Sequence, residues 1–168
     1  RHDSAGTPYY LLAEMYRDIT RYHLRVADLT DTDEPQIRAL QAIDQAMDSA
    51  PFPSGVFALA AMERELLLQE MGHDLDYPNF SAAYDLLKAG YPTEVGKDRL
   101  VTATWWYIRE SVNFDHDKEA WEGIQTLRRL KVSRKLRAAL LINDIIRPFI
   151  YEVQRKTAPQ LNPDNFQI

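Results

Sequence analysis

Three of the four histidines in this chain are followed directly by aspartate: His2-Asp3, His73-Asp74 and His116-Asp117. The fourth, His23, lies in Arg21-Tyr-His-Leu-Arg-Val-Ala27. An adjacent imidazole and carboxylate suit a hard or borderline divalent ion, and such an ion can activate water near neutral pH. His73-Asp74 stands out because an apolar helix is expected to end there. A working site needs further ligands. His23 lies 50 residues upstream of His73, and Asp144 lies 70 residues downstream of Asp74.

The order His23, His73-Asp74, Asp144 resembles the metal-dependent HD phosphohydrolase superfamily, an all-helical group that hydrolyses phosphate esters of nucleotides. The resemblance covers those four residues and some flanking apolar pattern, and it implies a divalent metal ion held by them. The chain departs from the family's usual glycine and lysine after the His-Asp pair, carrying Leu75-Asp76-Tyr77 instead. The apolar residues after His23 also stand one position out of step. The opposing reading tucks His23 beside a helical seam and leaves Asp74 as a cap or facing water, with no metal and no cofactor. That opposing reading is the one adopted. Glu70-Met-Gly-His73 is also a Glu-x-x-His spacing, but di-iron bundles need the motif on two helices and the chain has no second copy.

A second signal is electrostatic. Arg128, Arg129, Lys131, Arg134, Lys135 and Arg137 put six positive charges into ten residues. The first two suit the C-terminus of a helix, where the dipole is negative. Arg134, Lys135 and Arg137 fall in the first turns of the next expected helix, where the dipole is already positive. An anion or an acidic partner would relieve that arrangement. The stretch from Thr126 to Leu136 has the sound of a helix-turn-helix. Its Leu127 to Leu130 and Ser133 to Leu136 intervals are each one residue short, so it reads as two helices with a tight turn. A third signal is Trp105-Trp106-Tyr107. Successive helical residues point about 100° apart, so the three cannot all enter one narrow core face. Trp105 fits the buried face, which makes Trp106 or Tyr107 a candidate contact anchor. Arg109 and Glu110 read as surface ion pairs. No glycine-rich phosphate loop and no serine or cysteine nucleophile is legible; Ser54-Gly55 and Ser4-Ala-Gly6 read as loop dipeptides.

The elements that must position these residues are helical. Leu12, Met15, Ile19, Tyr22, Val26 and Leu29 are spaced 3, 4, 3, 4, 3, an apolar seam of about five turns that only other helices can bury. The spacing predicts a first helix over about 8–29. Asp33 is expected to cap a second helix, with Glu34 and Pro35 in its first turn and a buried stripe of Ile37, Leu40, Ile43 and Met47. Pro51 to Gly55 then breaks the chain. A third, most apolar helix is predicted over about 56–71, stopped by Gly72. Further helices are predicted over about 81–89, 94–114, 118–130 and 133–156. Pro148 should bend the last one by freeing the Asp144 carbonyl. Residues 1–7 read as a disordered lead and 157–168 as an extended tail.

Length and composition complete the expectation. The 168 residues predict a single domain, an all-α antiparallel bundle of about six or seven helices around one core. The absence of cysteine excludes disulfides and thiolate chemistry, and a cytoplasmic location is expected. The net charge of −5 argues against wholesale nucleic-acid binding. No apolar run approaches the roughly 20 residues needed to cross a bilayer. The leading functional reading is a regulatory or adaptor domain acting through contact with a protein partner, an acidic one included. The Arg128–Arg137 basic corner and Trp106 would form its contact surface. The metal phosphohydrolase and a nucleic-acid-binding helical protein are the alternatives, and self-association stays open.

Overall fold

A computed structural model describes residues 8–27, 33–90 and 92–139. The described residues are helical or in short turns, with no strand among them. The expected all-α class therefore holds. The elements are α1 (Pro8–Ala27), α2 (Glu34–Ser49), α3 (Gly55–Glu70), α4 (Tyr77–Gly90), α5 (Pro92–Val95), α6 (Lys97–Asn113), α7 (Asp117–Leu130) and α8 (Arg134–Ala139). The chain divides into two compact units, Arg1–Val95 and Gly96–Ile168.

In the first unit α3 packs against α1, α2, α4 and α5. The first four residues of the heptad ladder, Leu12, Met15, Ile19 and Tyr22, are buried as their spacing requires. Leu29 lies outside the described residues. Helix α2 corrects the expected stripe. Its buried face is Pro35, Ala39, Ile43 and Ala46, whereas Ile37 is 51% exposed. Alanine is small enough to let helices approach closely, so the buried face follows the alanines and leaves the larger isoleucine outside. Asp33 also differs from expectation. It precedes α2, but its carboxylate makes no capping bond; its backbone is already right-handed helical, at φ −75° and ψ −3°. A capping side chain needs an extended backbone to reach back to the first amides.

Ser54 has that backbone. At φ −153° and ψ 160° its hydroxyl accepts from the Phe57 N–H at 3.1 Å, so Ser54 is the N-cap of α3 and not merely part of a loop. A second donor at this helix end, the Gly55 N–H, reaches a carboxylate oxygen of Glu94 at 2.7 Å. Glu94 thus caps α3 from 39 residues away and does not begin a long helix. The expected helix over 94–114 is divided by Gly96, whose φ of +86° only glycine adopts without strain, into α5 and α6. At the other end of α3, Gly72 at φ +91° turns the chain. The His73 N–H then bonds the Leu68 carbonyl at 3.0 Å, closing the helix as expected. Helix α4 starts four residues earlier than expected because Asp76 caps it, accepting from the Asn79 N–H at 3.1 Å.

In the second unit α6 and α7 form an antiparallel hairpin. Lys97, at the start of α6, reaches Lys131, just past the end of α7, while Ile108 meets Gly123 at mid-length. Val101, Trp105, Ile108, Ile124, Leu127 and Val132 form the core, with Trp106, Trp121, Leu130 and Leu136 packed against it. Only the first turns of the expected last helix are described, as α8. Pro148, the Asp144 carbonyl and the tail lie outside the described residues, as does the lead over 1–7.

Gly123 sets the distance between α6 and α7. A Cβ there would lie 2.6 Å from Ile108 Cγ1 and 3.3 Å from Tyr107 Cδ1. Overpacking of this kind costs about 1–3 kcal/mol. The helix propensity gained from alanine returns about 1 kcal/mol. Gly123→Ala should therefore lower the stability of the protein in denaturant unfolding by up to about 2 kcal/mol, although alanine is the better helix former.

Candidate functional site

The basic corner occupies the end of the α6–α7 hairpin. Arg128 and Arg129 lie in the last turn of α7 and are exposed, and Arg129 reaches the Thr126 hydroxyl at 3.3 Å. Lys131 closes α7 in the left-handed conformation, φ 52°, and its carbonyl accepts from the Lys97 ammonium at 3.1 Å. Arg134 and Lys135 are exposed in α8, whereas Arg137 is half-buried. Lys131, Arg134 and Lys135 form no ion pair with another described residue. Lys97 is an addition that sequence reasoning missed. It stands 34 residues from Lys131 in the chain, and only the hairpin brings it to the corner.

The division into units also sorts the charge. Residues 1–95 hold 7 basic against 16 acidic residues, whereas residues 96–168 hold 13 basic against 9 acidic. The overall −5 is thus the sum of −9 and +4.

Two further expectations in this unit change. Trp105 and Tyr107 are both buried, and Trp106 is half-buried against the hairpin core, so none of the three is a freely exposed anchor. Helix α6 buries residues around most of its circumference, which accommodates all three directions. Arg109 and Glu110 are not an ordinary surface pair either. The Glu110 side chain is 2% exposed, with the Arg109 Nε at 3.0 Å and the Asn113 amide at 3.4 Å.

The three described histidines are His23, His73 and His116. His116 precedes α7, with its Nδ1 3.8 Å from Glu119. His73 and Asp74 are exposed in the turn after α3. His23 Nε2 lies 3.2 Å from a carboxylate oxygen of Glu70. Asp144 and His2 lie outside the described residues. Among the described residues no group of three or more histidine, aspartate or glutamate side chains could hold a metal ion.

The His23–Glu70 contact belongs to a set that the sequence reading did not assemble. Helices α1 and α3 run parallel, because Tyr16 meets Glu63 and, seven residues on in both helices, His23 meets Glu70. Glu63 is only 7% exposed. The Tyr16 hydroxyl donates to its carboxylate. Burial pushes the Glu63 carboxyl from 4.5 up to about 7; the Tyr16 bond works against that rise, and the negative charge of Glu70 adds to it. Burial likewise raises the Tyr22 phenol, with Glu70 again contributing. A sequence signal for Glu63 did exist. Leu59, Ala60, Met62, Leu66 and Leu67 occupy the positions around it in the most apolar helix, so a carboxylate there has no aqueous side to turn to.

No protein-family model, curated protein or solved structure matches this chain.

The raised Glu63 carboxyl has a defined consequence for stability. The folded form holds its proton more tightly than the unfolded chain does. The penalty for folding is therefore absent below pH 4.5, grows between 4.5 and about 7, and is full above that. The shift corresponds to roughly 3 kcal/mol. Removing the Tyr16 hydroxyl leaves the ionised form without that donor, a loss of about 1–3 kcal/mol. Tyr16→Phe should thus cost more stability at pH 8 than at pH 5, as read by denaturant unfolding at the two pH values.

Proposed function

We propose that this chain is a helical regulatory or adaptor domain that acts by contact with an acidic protein surface. The reading rests on the exposed basic corner of the second unit. Lys131, Arg134 and Lys135 are held at the end of a packed hairpin, beside Arg128 and Arg129, with no acidic partner among the described residues. The Lys97 bond to the Lys131 carbonyl ties the corner to the start of α6. Charges held together on a rigid support attract an acidic surface at long range and orient it on arrival. The half-buried Trp106 lies in the core of the same unit and supports the corner by packing.

A polyglutamate peptide tests this reading, with an oligonucleotide of equal charge as comparator. The wild type should bind the peptide at low salt, bind it in preference to the oligonucleotide, and lose affinity as salt rises. Replacing Lys131, Arg134 and Lys135 together by glutamine should leave the helical circular dichroism unchanged, because all three side chains are exposed. At about 0.5 kcal/mol per exposed charge contact, the triple variant should bind roughly ten-fold more weakly. Equal binding by wild type and variant, or a preference for the oligonucleotide, would remove the proposal.

A further inference from the structure

Glu63 is a carboxylic acid enclosed at a helix–helix interface, and the proposed contact surface in the other unit makes no use of it. Its surroundings come from every element that packs on α3. From α1 it receives the Tyr16 hydroxyl, with Tyr22 and His23 further along the same seam. On α3 itself Glu70 stands two turns away. Of the charged groups on the other elements, Asp48 of α2 is exposed, Glu34 and Arg38 of α2 pair with each other, and Asp85 and Lys88 of α4 lie 4.0 Å apart. Asp44 of α2 pairs with Arg64 at 3.0 Å. Glu65 accepts from the Asp76 N–H at 3.1 Å, just before α4. Glu94 of α5 is occupied at the Gly55 N–H. Neither the hydrogen bonds nor the ion pairs among the described residues bring a cation to Glu63. This contrasts with Glu110, an equally enclosed carboxylate with a guanidinium beside it.

We infer that the α1–α3 interface is a proton-operated latch, closed while Glu63 carries its proton and loosened when Glu63 ionises. The ionised group has one phenolic donor and a like charge on the same helix face, and movement of α1, which carries that donor, away from α3 would give it a route to water. Helix α1 packs chiefly on α2, so movement away from α3 would uncover only the part of its buried face, which carries Leu12, Met15, Ile19 and Tyr22, that lies against α3. The latch thus couples a single proton to exposure of part of an apolar helix face. Since the Glu63 carboxyl is raised to about 7, the transition falls in the neutral range. The sign follows: the closed form gains relative to the open one as pH falls from above 7 toward 4.5.

Amide hydrogen exchange on the full chain tests the latch. With rates corrected for intrinsic exchange, protection of α1 should fall by roughly 70-fold between pH 5 and pH 8 if opening returns Glu63 to its ordinary value. Glu63→Gln keeps the size and the hydrogen-bonding oxygen but cannot ionise. It should hold α1 protected at pH 8 at the level the wild type shows at pH 5. The variant retains the His23–Glu70 pair, so any pH dependence from that pair remains in it and is subtracted. Carboxyl carbon chemical shifts of labelled glutamate provide a second readout that does not depend on opening. One resonance, absent from Glu63→Gln, should titrate near neutrality. Two results would overturn the latch: a Glu63 resonance titrating with the exposed glutamates, or α1 protection with the same pH dependence in wild type and Glu63→Gln.

Discussion

Helix α3 is enclosed by four other helices for most of its length, and the first unit is arranged around that enclosure. Its N-terminal end is buried and must satisfy its amides without help from water, because an unpaired buried amide costs as much as a lost hydrogen bond. Ser54 and Glu94 do this, whereas the Gly72 turn closes the other end at the surface. The requirement explains why α5, a four-residue helix, lies where it does: Glu94 brings its carboxylate to the Gly55 N–H. The same enclosure leaves Glu63 with a single phenol for company. The ends of α3 are thus well satisfied, and its one buried side-chain charge is not.

The second unit depends on a close approach where the first depends on enclosure. Gly123 lets α7 lie directly on Ile108 and Tyr107, and the hairpin core then builds outward through Trp105, Ile124 and Leu127. The turn after α7 uses a lysine, Lys131, in the left-handed conformation. Such a residue lacks glycine's freedom, and the Lys97 ammonium on its carbonyl helps to hold it. The basic corner is therefore part of the turn's own construction. Lys97 donates a hydrogen bond to the Lys131 carbonyl, while the Lys131, Arg134 and Lys135 side chains stay exposed.

The two buried glutamates show how context decides what a carboxylate does. Glu110 and Glu63 are both almost inaccessible and both lie in helix interiors. Arg109 is adjacent to Glu110 and half-buried, with its guanidinium Nε 3.0 Å from the carboxylate. Arg64, adjacent to Glu63, points to Asp44 of α2 instead. A one-residue step rotates a side chain by about 100°, and the packing of α2 decides which acid the arginine meets.

The sequence by itself determined the helical class and, among the described residues, the existence of α1, α2, α3 and α7 and most of their ends. These follow from local rules: apolar spacing of three and four, glycine at Gly72, and the six charges between Arg128 and Arg137. It misplaced Ile37 because alanine carries too little hydropathy to mark a buried face, and it ran one helix through Gly96 because glycine is tolerated in a helical pattern until its φ is known. Tertiary structure alone decided everything that joins residues distant in the chain. The pairing of Tyr16 with Glu63 and His23 with Glu70 spans 47 residues; Glu94 reaches Gly55 across 39, and Lys97 reaches Lys131 across 34. Periodicity states which face of a helix is buried, but not which other helix covers it or at what offset. The ionisation of Glu63, the capping of α3 and the makeup of the basic corner all depend on that offset.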